Sequence, residues 1–272
     1  MQHFYILGCG KMGSALLEGW LARHTPYHFI IIDPYFNNTA LLAHDHVSHF
    51  ADFQAVHDAA VPAPDVMLLS VKPQMMQEAL GTAGQLDLSG CCFISIAAGL
   101  SLAKLAQMIN TPAMARIIRT MPNTPAAIGK GITALIGNEA ASAADLALAC
   151  ELLSACGEVV QLSSEGQLDA VTALSGSGPA YVFYLAEVMR AAGEKLGLPA
   201  DLAQKLADQT VYGAGALLIE SDEPAGTLRE NVTSKGGTTA AALSVLMSQE
   251  GMAPLFEAAL RAAHDRSEEL GR

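Results

Sequence analysis

The sequence predicts a chain of two parts: a largely parallel α/β sheet domain over residues 1–162 and an all-helical domain over residues 163–272. In the first part, short runs of β-branched and other apolar residues alternate with stretches at helical spacing. These runs are continuously apolar, which is typical of parallel strands covered by helices on both faces. The predicted strands are Phe4–Leu7, Phe29–Ile32, Val66–Val71, Cys92–Ile96, Arg116–Ile118, Ile132–Ile136 and Val159–Leu162.

After residue 162 the β-rich runs end, and alanine, leucine, glutamate and glutamine recur at helical spacing. Prolines near three helix starts supply the fixed φ that a first turn accepts. Gly213 and Gly215, among alanines, give one helix a small-residue surface that favours a subunit interface, with a contact inside the chain as the alternative. The predicted helices are Glu165–Leu174, Pro179–Leu196, Pro199–Glu220, Pro224–Asn231, Thr239–Gln249 and Met252–Leu270.

The composition disfavours several classes of function. The chain has 272 residues, 51% of them hydrophobic and 15% charged, so it can bury a sizeable core. Its formal net charge of −12 disfavours a sequence-independent grip on nucleic acid or on an anionic membrane. No apolar stretch reaches the ~20 residues of a membrane span and no secretion signal is apparent, so we expect a cytoplasmic protein.

Cysteine and histidine indicate neither disulfides nor a metal site. Five cysteines make an odd count without a C-x-x-C pair, so we expect buried, unpaired thiols. His44, His46 and His49 lie close together between apolar segments without a supporting cysteine, which favours a solvated surface loop.

A glycine-rich turn follows the first predicted strand and opens the first helix. Its first glycine permits a sharp turn, the second lets a pyrophosphate approach the backbone, and the third lets helix pack on strand. The second strand ends in Asp33, at about the 20-residue offset expected for a carboxylate that binds the ribose. The pattern predicts a Rossmann-type dinucleotide-binding domain. The turn consists of Gly8, Cys9, Gly10, Lys11, Met12 and Gly13.

Further cofactor-binding candidates follow other strands, because ligands of open α/β sheets bind beyond the carboxyl ends of strands. Small residues at 97–99 would let a nicotinamide ring lie against backbone, and Lys72 and Asn123 could hydrogen-bond its ribose or carboxamide. The alternative is that proline-bearing turns follow strands for folding reasons alone. These candidates are Ser70, Val71, Lys72, Pro73, Ala97, Ala98, Gly99 and Asn123.

Two segments of the helical half interrupt helices with glycine, serine and threonine. They are Asp169–Tyr181 and Val232–Ala240. Gly236 and Gly237 in the second segment leave successive backbone N–H groups free to hold a carboxylate, which predicts an acidic substrate. A plain helix cap is the alternative, although a cap needs only one serine or threonine.

These residues together closely resemble the pyrroline-5-carboxylate reductase family, nearly end to end. The most specific parts are Asp169–Tyr181 and Leu228–Thr239, while Ser70–Gln74, Ser95–Ser101 and Met121–Pro125 match the cofactor side. The resemblance implies transfer of a hydride from a reduced nicotinamide to the C=N carbon of a cyclic imine, giving L-proline.

The resemblance also implies roles for individual residues. Gly236, Gly237 and Thr238 would hold the substrate carboxylate, and the Thr239 hydroxyl, as the catalytic group, would contact the ring nitrogen. Asn231 and Glu165 would line the pocket. Lys235 stands where the family usually has proline, so its cation beside the cradle is a departure with an open role.

The family further implies a partner and a cofactor. The helical domain would pair with a second copy to form a homodimer, with the substrate pocket at the dimer interface and with larger rings such as a decamer possible. The family commonly prefers NADP(H), which we expect here, with NAD(H) also possible because Asp33 would repel a 2′-phosphate.

Two other functions compete with this interpretation. A β-hydroxyacid dehydrogenase shares the glycine opening and a helical second half but needs a general-base lysine after a glycine-rich turn. Here no lysine follows Gly176–Pro179 before Lys195. A non-catalytic nucleotide-sensing module could keep the fold, but it would not need the carboxylate cradle.

Overall fold

The computed structural model describes residues 2–23, 25–84, 86–109 and 114–271. Its strands form one eight-stranded sheet in the order β3-β2-β1-β4-β5-β6-β7-β8. Neighbouring strands are parallel except β6 and β7, which are antiparallel. The strands are β1 (Gln2–Leu7), β2 (Tyr27–Ile32), β3 (Val47–Phe50), β4 (Val66–Leu69), β5 (Cys92–Ser95), β6 (Arg116–Met121), β7 (Gly131–Gly137) and β8 (Gly157–Gln161).

Helices cover both faces of this sheet, as the apolar strands predict. Alternate side chains of β1 enter two separate cores, because successive residues of a strand point to opposite faces. Phe4 packs with Trp20 in one core, and Tyr5 lies with Phe53 in the other. The helices that precede the helical half are α1 (Lys11–Ala22), α2 (Thr39–Leu42), α3 (Phe53–Asp58), α4 (Met76–Gly81), α5 (Leu102–Met108) and α6 (Ala143–Leu153).

The helical half contains the six helical segments that we predict, with ends shifted by a few residues. The first is divided, because α7 passes into a π-helical turn at Thr172–Gly176. The fold class, a Rossmann-type α/β domain followed by an all-α domain, is confirmed. The helices are α7 (Gln167–Val171), α8 (Gly178–Lys195), α9 (Ala200–Glu220), α10 (Ala225–Asn231), α11 (Thr238–Leu246) and α12 (Met252–Gly271).

The backbone divides into two compact units. The first consists of Met1–Gly176 with Ala263–Arg272, and the second of Ser177–Ala262. The domain boundary expected after residue 162 follows the change from strands to helices and stays a prediction. In the first unit, the end of α12 is held by a hydrogen bond of 2.6 Å from Ser267 Oγ to Asp169 Oδ1.

The second unit has little core of its own. Throughout residues 177–262, all of which the structure describes, only Ala203 and Ala207 are buried. Large apolar side chains are exposed instead, among them Phe183, Tyr212 and Ile219. In the described ranges of the chain, no helix combines the length and apolarity needed to cross a membrane.

One strand is missing from the prediction. β3 contains His49, so the interpretation of the three histidines as a surface loop is wrong for this residue. His49 Nε2 lies 2.7 Å from the carbonyl oxygen of Asp33, whereas His44 and His46 are exposed in the turn before β3. No group of three His, Cys, Asp or Glu side chains within the described segments is arranged to hold a metal.

Candidate functional site

The glycine-rich turn between β1 and α1 is shaped by close packing at its first and last glycines. Gly8 has φ +81°, and a Cβ there would lie 2.6 Å from Val71 Cγ1. A Cβ on Gly13 would lie 3.2 Å from both Gly8 O and Ser70 Oγ. The Ser70 hydroxyl donates to Gly8 O, so Ser70 and Val71 act at least partly by fixing the turn.

Gly10 differs from the other two glycines, because a Cβ there would meet nothing within 4 Å. It precedes the first turn of α1, which Lys11 and Met12 begin, and it carries no side chain to cap the helix. The first N–H groups of α1 have no side-chain cap, and the helix dipole adds positive potential at this end of the helix. This arrangement suits the phosphates of a dinucleotide.

Asp33 lies directly against the glycine turn. Its Oδ2 accepts a hydrogen bond of 2.8 Å from the Cys9 N–H, and its Oδ1 accepts one of 2.9 Å from the Tyr35 N–H. The Cys9 side chain is buried, and burial raises the pKa of its thiol to about 11. Cys9 therefore contributes its backbone, not a reactive thiolate, to this site.

A cleft of about 610 Å³ opens beside the turn at the carboxyl edge of the sheet. Its lining includes Gly8, Gly10, Asp33, Val71 and Lys72, which the sequence predicts as cofactor-binding residues. Pro73 begins the 3₁₀ turn Pro73–Met75 that follows β4. The predicted Ser70 lines the cleft as well. The sequence did not indicate the other lining residues, which come from the ends of β1 and β2 and from the segments after β2, β3 and β4: Leu7, Ile32, Pro34, Tyr35, Ala51, Asp52, Phe53, Met75, Glu78, Ala79 and Thr82.

The loop after β5 carries the predicted nicotinamide contacts Ala97, Ala98 and Gly99. Ala97 and Gly99 are buried, and Ala98 is partly exposed. Gly99 has φ +77°, and a Cβ there would lie 3.0 Å from Leu270 Cβ. Packing against the end of α12 is thus one reason for glycine at this position.

Asn123 has a clear structural role. Its Nδ2 donates to Ser175 O at 3.1 Å, and its Oδ1 accepts from the Ile132 N–H at 2.9 Å. The buried amide therefore ties the end of β6 to β7 and to the π-helical turn. The contact with the cofactor that we expect of Asn123 stays a prediction.

Glu165 belongs to an ion pair that the sequence did not indicate. Its Oε1 accepts from Arg119 Nη1 at 2.8 Å and from the Leu102 N–H, at the start of α5, at 2.7 Å. Arg119 is buried in β6, so its charge needs this partner. A cavity of about 370 Å³ adjoins the pair, lined by Gly99, Ser101, Arg119, Glu165, Gly166, Asp169, Glu268 and Gly271.

The predicted carboxylate cradle lies at the start of α11 in the second unit. Gly236 has φ +73°, and a Cβ on Gly237 would collide with Ser234 Oγ. Gly237 is the N-cap residue and has no side chain to bond the first N–H groups of α11. The Gly237 N–H itself donates to Ser234 O at 3.0 Å. The N–H groups of Gly236 and Thr238 on either side of it make no such bond to any described residue and are available to an anion.

The remaining substrate-binding candidates also lie in the second unit, unlike Glu165. Asn231 Nδ2 donates to Glu223 Oε2 at 2.8 Å, so the Asn231 side chain is oriented by a carboxylate. Lys235 is exposed beside the cradle. Thr239 is half-buried in the first turn of α11, and its hydroxyl makes no hydrogen bond to any described residue. The cap alternative therefore does not account for Thr239.

Two family models match the chain. One described as pyrroline-5-carboxylate reductase dimerisation matches residues 165–270, and one described as NADP oxidoreductase coenzyme F420-dependent matches residues 3–99. The first covers the helical half and the second the glycine turn and the strands that follow it.

Individual reductases are similar over almost the full length. The pyrroline-5-carboxylate reductase of Haemophilus influenzae is 40% identical over 99% of this chain and 98% of its own, and that of Pseudomonas aeruginosa is 39% identical over 97% and 95%. The solved Coxiella burnetii reductase has a TM-score of 0.85 and 32% identity, covering 100% of this chain and 98% of that chain. The Plasmodium falciparum enzyme, solved with NADP bound, has a TM-score of 0.82 and 28% identity at the same coverage. The chain belongs to the pyrroline-5-carboxylate reductase family.

Proposed function

We propose that the chain carries out its family's reaction, the reduction of 1-pyrroline-5-carboxylate to L-proline with NAD(P)H, through two groups of residues. The observation that carries this proposal is the full-length similarity to reductases of that name. The reaction is the last step of proline biosynthesis. The first group of residues would bind the cofactor, and the second would bind the imino acid.

The residues of the first group fit a dinucleotide. Gly10 leaves open space before the free N–H groups of α1, where a pyrophosphate has room and favourable potential. Asp33, held against the turn, would accept the hydroxyls of the adenosine ribose. The loop at Ala97–Gly99 would carry the nicotinamide, and the bound cofactor supplies the hydride.

The second group would hold a small anionic ring. Gly236, Gly237 and Thr238 would hold the substrate carboxylate at the start of α11, with the N–H groups of Gly236 and Thr238 as donors and Gly237, whose N–H bonds Ser234 O, leaving room for it. The Thr239 hydroxyl oxygen would accept the N–H of the protonated ring nitrogen. Glu165 and Asn231 would complete the lining of the pocket.

This set of residues suits reduction of an imine. A protonated imine accepts a hydride far more readily than a neutral one, so the site must orient the ring and stabilise its N–H more than it must remove a proton. A hydroxyl such as that of Thr239 can do this without histidine or a strong base. A 3-hydroxy acid would instead need a general base for its alcohol.

The chain forms a homo-oligomer through its helical half, which matches the family's dimerisation model. The size of the assembly is a proposal: a ring of dimers such as a decamer. We also propose a cytoplasmic location, which is supported by five free cysteines, four of them buried.

A substrate comparison tests the function. Purified protein is mixed with NAD(P)H and 1-pyrroline-5-carboxylate, and in parallel with oxidised cofactor and a series of 3-hydroxy acids. We expect steady loss of reduced cofactor with the imino acid and no reduction of cofactor with the hydroxy acids. The opposite pattern would identify a hydroxyacid dehydrogenase, and inactivity in both would leave a nucleotide-binding module.

A further inference from the structure

We infer that the cofactor cleft of this chain selects NADH over NADPH, with Asp33 as the residue that determines specificity. The inference rests on the proposed dinucleotide site beside the glycine turn. It departs from the NADPH preference that family resemblance implies, and it concerns the one chemical difference between the two cofactors, the phosphate on the 2′ position of the adenosine ribose.

The Asp33 carboxylate is fixed in place. One oxygen accepts from the Cys9 N–H and the other from the Tyr35 N–H, at 2.8 and 2.9 Å. Rotating the side chain away from an incoming phosphate would break both bonds and leave both N–H groups unpaired. Each oxygen keeps a further lone pair, so the group can still accept the 2′- and 3′-hydroxyls of a ribose. A phosphate dianion offers no proton to donate there.

Two further acidic residues, Asp52 and Glu78, line the cleft together with Asp33. Asp52 follows β3, the neighbour of β2, and its Oδ1 accepts from the Ala55 N–H at 2.8 Å as the N-cap of α3. Of the lining residues that the structure describes, none is an arginine, the residue best suited to a 2′-phosphate.

Among the described residues that line the cleft, Lys72 is the cation, but the strand order separates it from Asp33. It follows β4, which pairs with β1 on the side opposite to β2. Neighbouring strands lie about 4.8 Å apart, so the ends of β2 and β4 are roughly 10 Å apart. A 2′-phosphate at the end of β2 would therefore meet Asp33 and Asp52 before it met Lys72.

The test is a binding measurement on the full-length protein without substrate. The dissociation constants of NADH and NADPH are measured by calorimetry, together with those of ADP-ribose and its 2′-phosphate. We expect the forms without the 2′-phosphate to bind at least about tenfold more tightly at low salt, and added salt to narrow the ratio because it screens the repulsion.

Variants test whether Asp33 is the residue that causes the cofactor selectivity. Asp33→Ser removes the charge, and Asp33→Asn serves as a second variant of nearly the same shape. Both should move the NADH to NADPH ratio toward NADPH by roughly tenfold. Asp87→Asn is the matched control: it removes the same charge before β5, at the amino edge of the sheet, and should leave the ratio unchanged. Lys72→Met should weaken both cofactors to a similar extent.

Three results would overturn the inference: equal or tighter binding of NADPH to the unmodified protein, a ratio that neither Asp33 variant moves, or a loss of NADPH binding alone in Lys72→Met. Failure of the proposed function looks different. A protein that prefers NADPH and still makes proline contradicts only the selectivity, whereas a protein that binds neither cofactor contradicts the dinucleotide site as well.

Discussion

The three glycines of the turn at residues 8–13 meet different requirements. Gly8 needs a positive φ and has Val71 against it, and Gly13 lies against Gly8 O and Ser70 Oγ, so the fold itself requires both. Gly10 faces open space, so the fold would tolerate a side chain there. Its glycine is explained by the phosphates that the backbone must approach.

We therefore predict that Gly10→Val abolishes cofactor binding and leaves the melting temperature nearly unchanged, because the added branched side chain fills only the space meant for the pyrophosphate. Fluorescence titration with NADH and NADPH measures the first effect and thermal unfolding the second. Gly8→Ala is the contrasting variant and should lower stability by about 1–2 kcal/mol or more. Unchanged cofactor affinity in Gly10→Val would refute this assignment.

Thr239 carries the proposed contact with the ring nitrogen. Thr239→Val keeps the shape of the side chain and deletes the hydroxyl, so we predict a fall in kcat of roughly ten- to a hundredfold, the scale of a hydrogen bond to a charged group. Cofactor affinity and melting temperature should not change, because the hydroxyl bonds no described residue. A lower melting temperature with near wild-type kcat would remove Thr239 from the mechanism.

The sequence predicts the position of some single residues of the site but not the partners of others. Asp33 could be placed because a strand end and a spacing define its position. The partners of Asn123 and Glu165 could not be anticipated, since Ser175 lies 52 residues from Asn123 and Arg119 lies 46 from Glu165. Hydrogen bonds over such separations depend on the tertiary fold, which a local pattern does not encode.

Secondary-structure elements follow the sequence when their residues are uniformly apolar. β4 and β5 are predicted because their sequences are continuous or nearly continuous apolar runs, and the structure buries every residue in them. β3 was missed because it is an edge strand in which only Val47 is buried and Ser48 and His49 are partly exposed. Its pairing with β2 supplies the stability that its own sequence does not indicate.

The start of α6 couples a helix cap to pH. Ser142 Oγ accepts from the Asp145 N–H, and Asp145 Oδ2 accepts from the Ser142 N–H and hydroxyl, while Arg116 Nη1 lies 2.5 Å from Asp145 Oδ1. Burial acts to raise the pKa of Asp145, but the hydrogen bonds from Ser142 and the charge of Arg116 outweigh it and lower the pKa. The folded state thus favours the charged carboxylate.

This lowered pKa gives a signed prediction. The stability contributed by Asp145 is present above its unfolded-state pKa of about 3.9 and is lost as pH falls through the lower folded-state pKa. The unfolding free energy of Asp145→Asn should therefore decline less between pH 5 and pH 3 than that of the unmodified protein. Urea titrations at fixed protein concentration measure the unfolding free energies of the variant and of the unmodified protein at each pH. Asp45→Asn, at an exposed position, is the control. Equal declines would exclude this role for Asp145.

The second unit leaves many large apolar side chains exposed, among them Phe183, Tyr212 and Ile219, and exposed apolar surface of this kind marks sites of interaction. Apolar residues over residues 177–262 were predictable from composition. The sequence does not predict which of these residues stay exposed. Helical spacing identifies the apolar face of a helix, but it does not show which other element or subunit packs against that face. The uncovered residues agree with the family's dimerisation role for this half.

We predict that Ile219→Glu, 84% exposed on α9, shifts the protein to smaller species, because a carboxylate cannot be buried unpaired in a subunit interface. Ile128→Glu is the matched control, since Ile128 is 76% exposed in the first unit. Sedimentation velocity measures the size of the assembly that each variant forms. The unmodified protein should sediment as a dimer or a ring of dimers. A monomeric unmodified protein, or equal effects of the two variants, would contradict the assignment.

The reaction of the family is the transfer of a hydride to the C=N carbon of 1-pyrroline-5-carboxylate. The most direct measurement uses cofactor that carries deuterium at the transferred position of nicotinamide C4, followed by NMR and mass analysis of the product. We expect L-proline with one deuterium on its δ carbon, the former imine carbon. Proline without deuterium, deuterium at the α carbon, or no proline at all would contradict it.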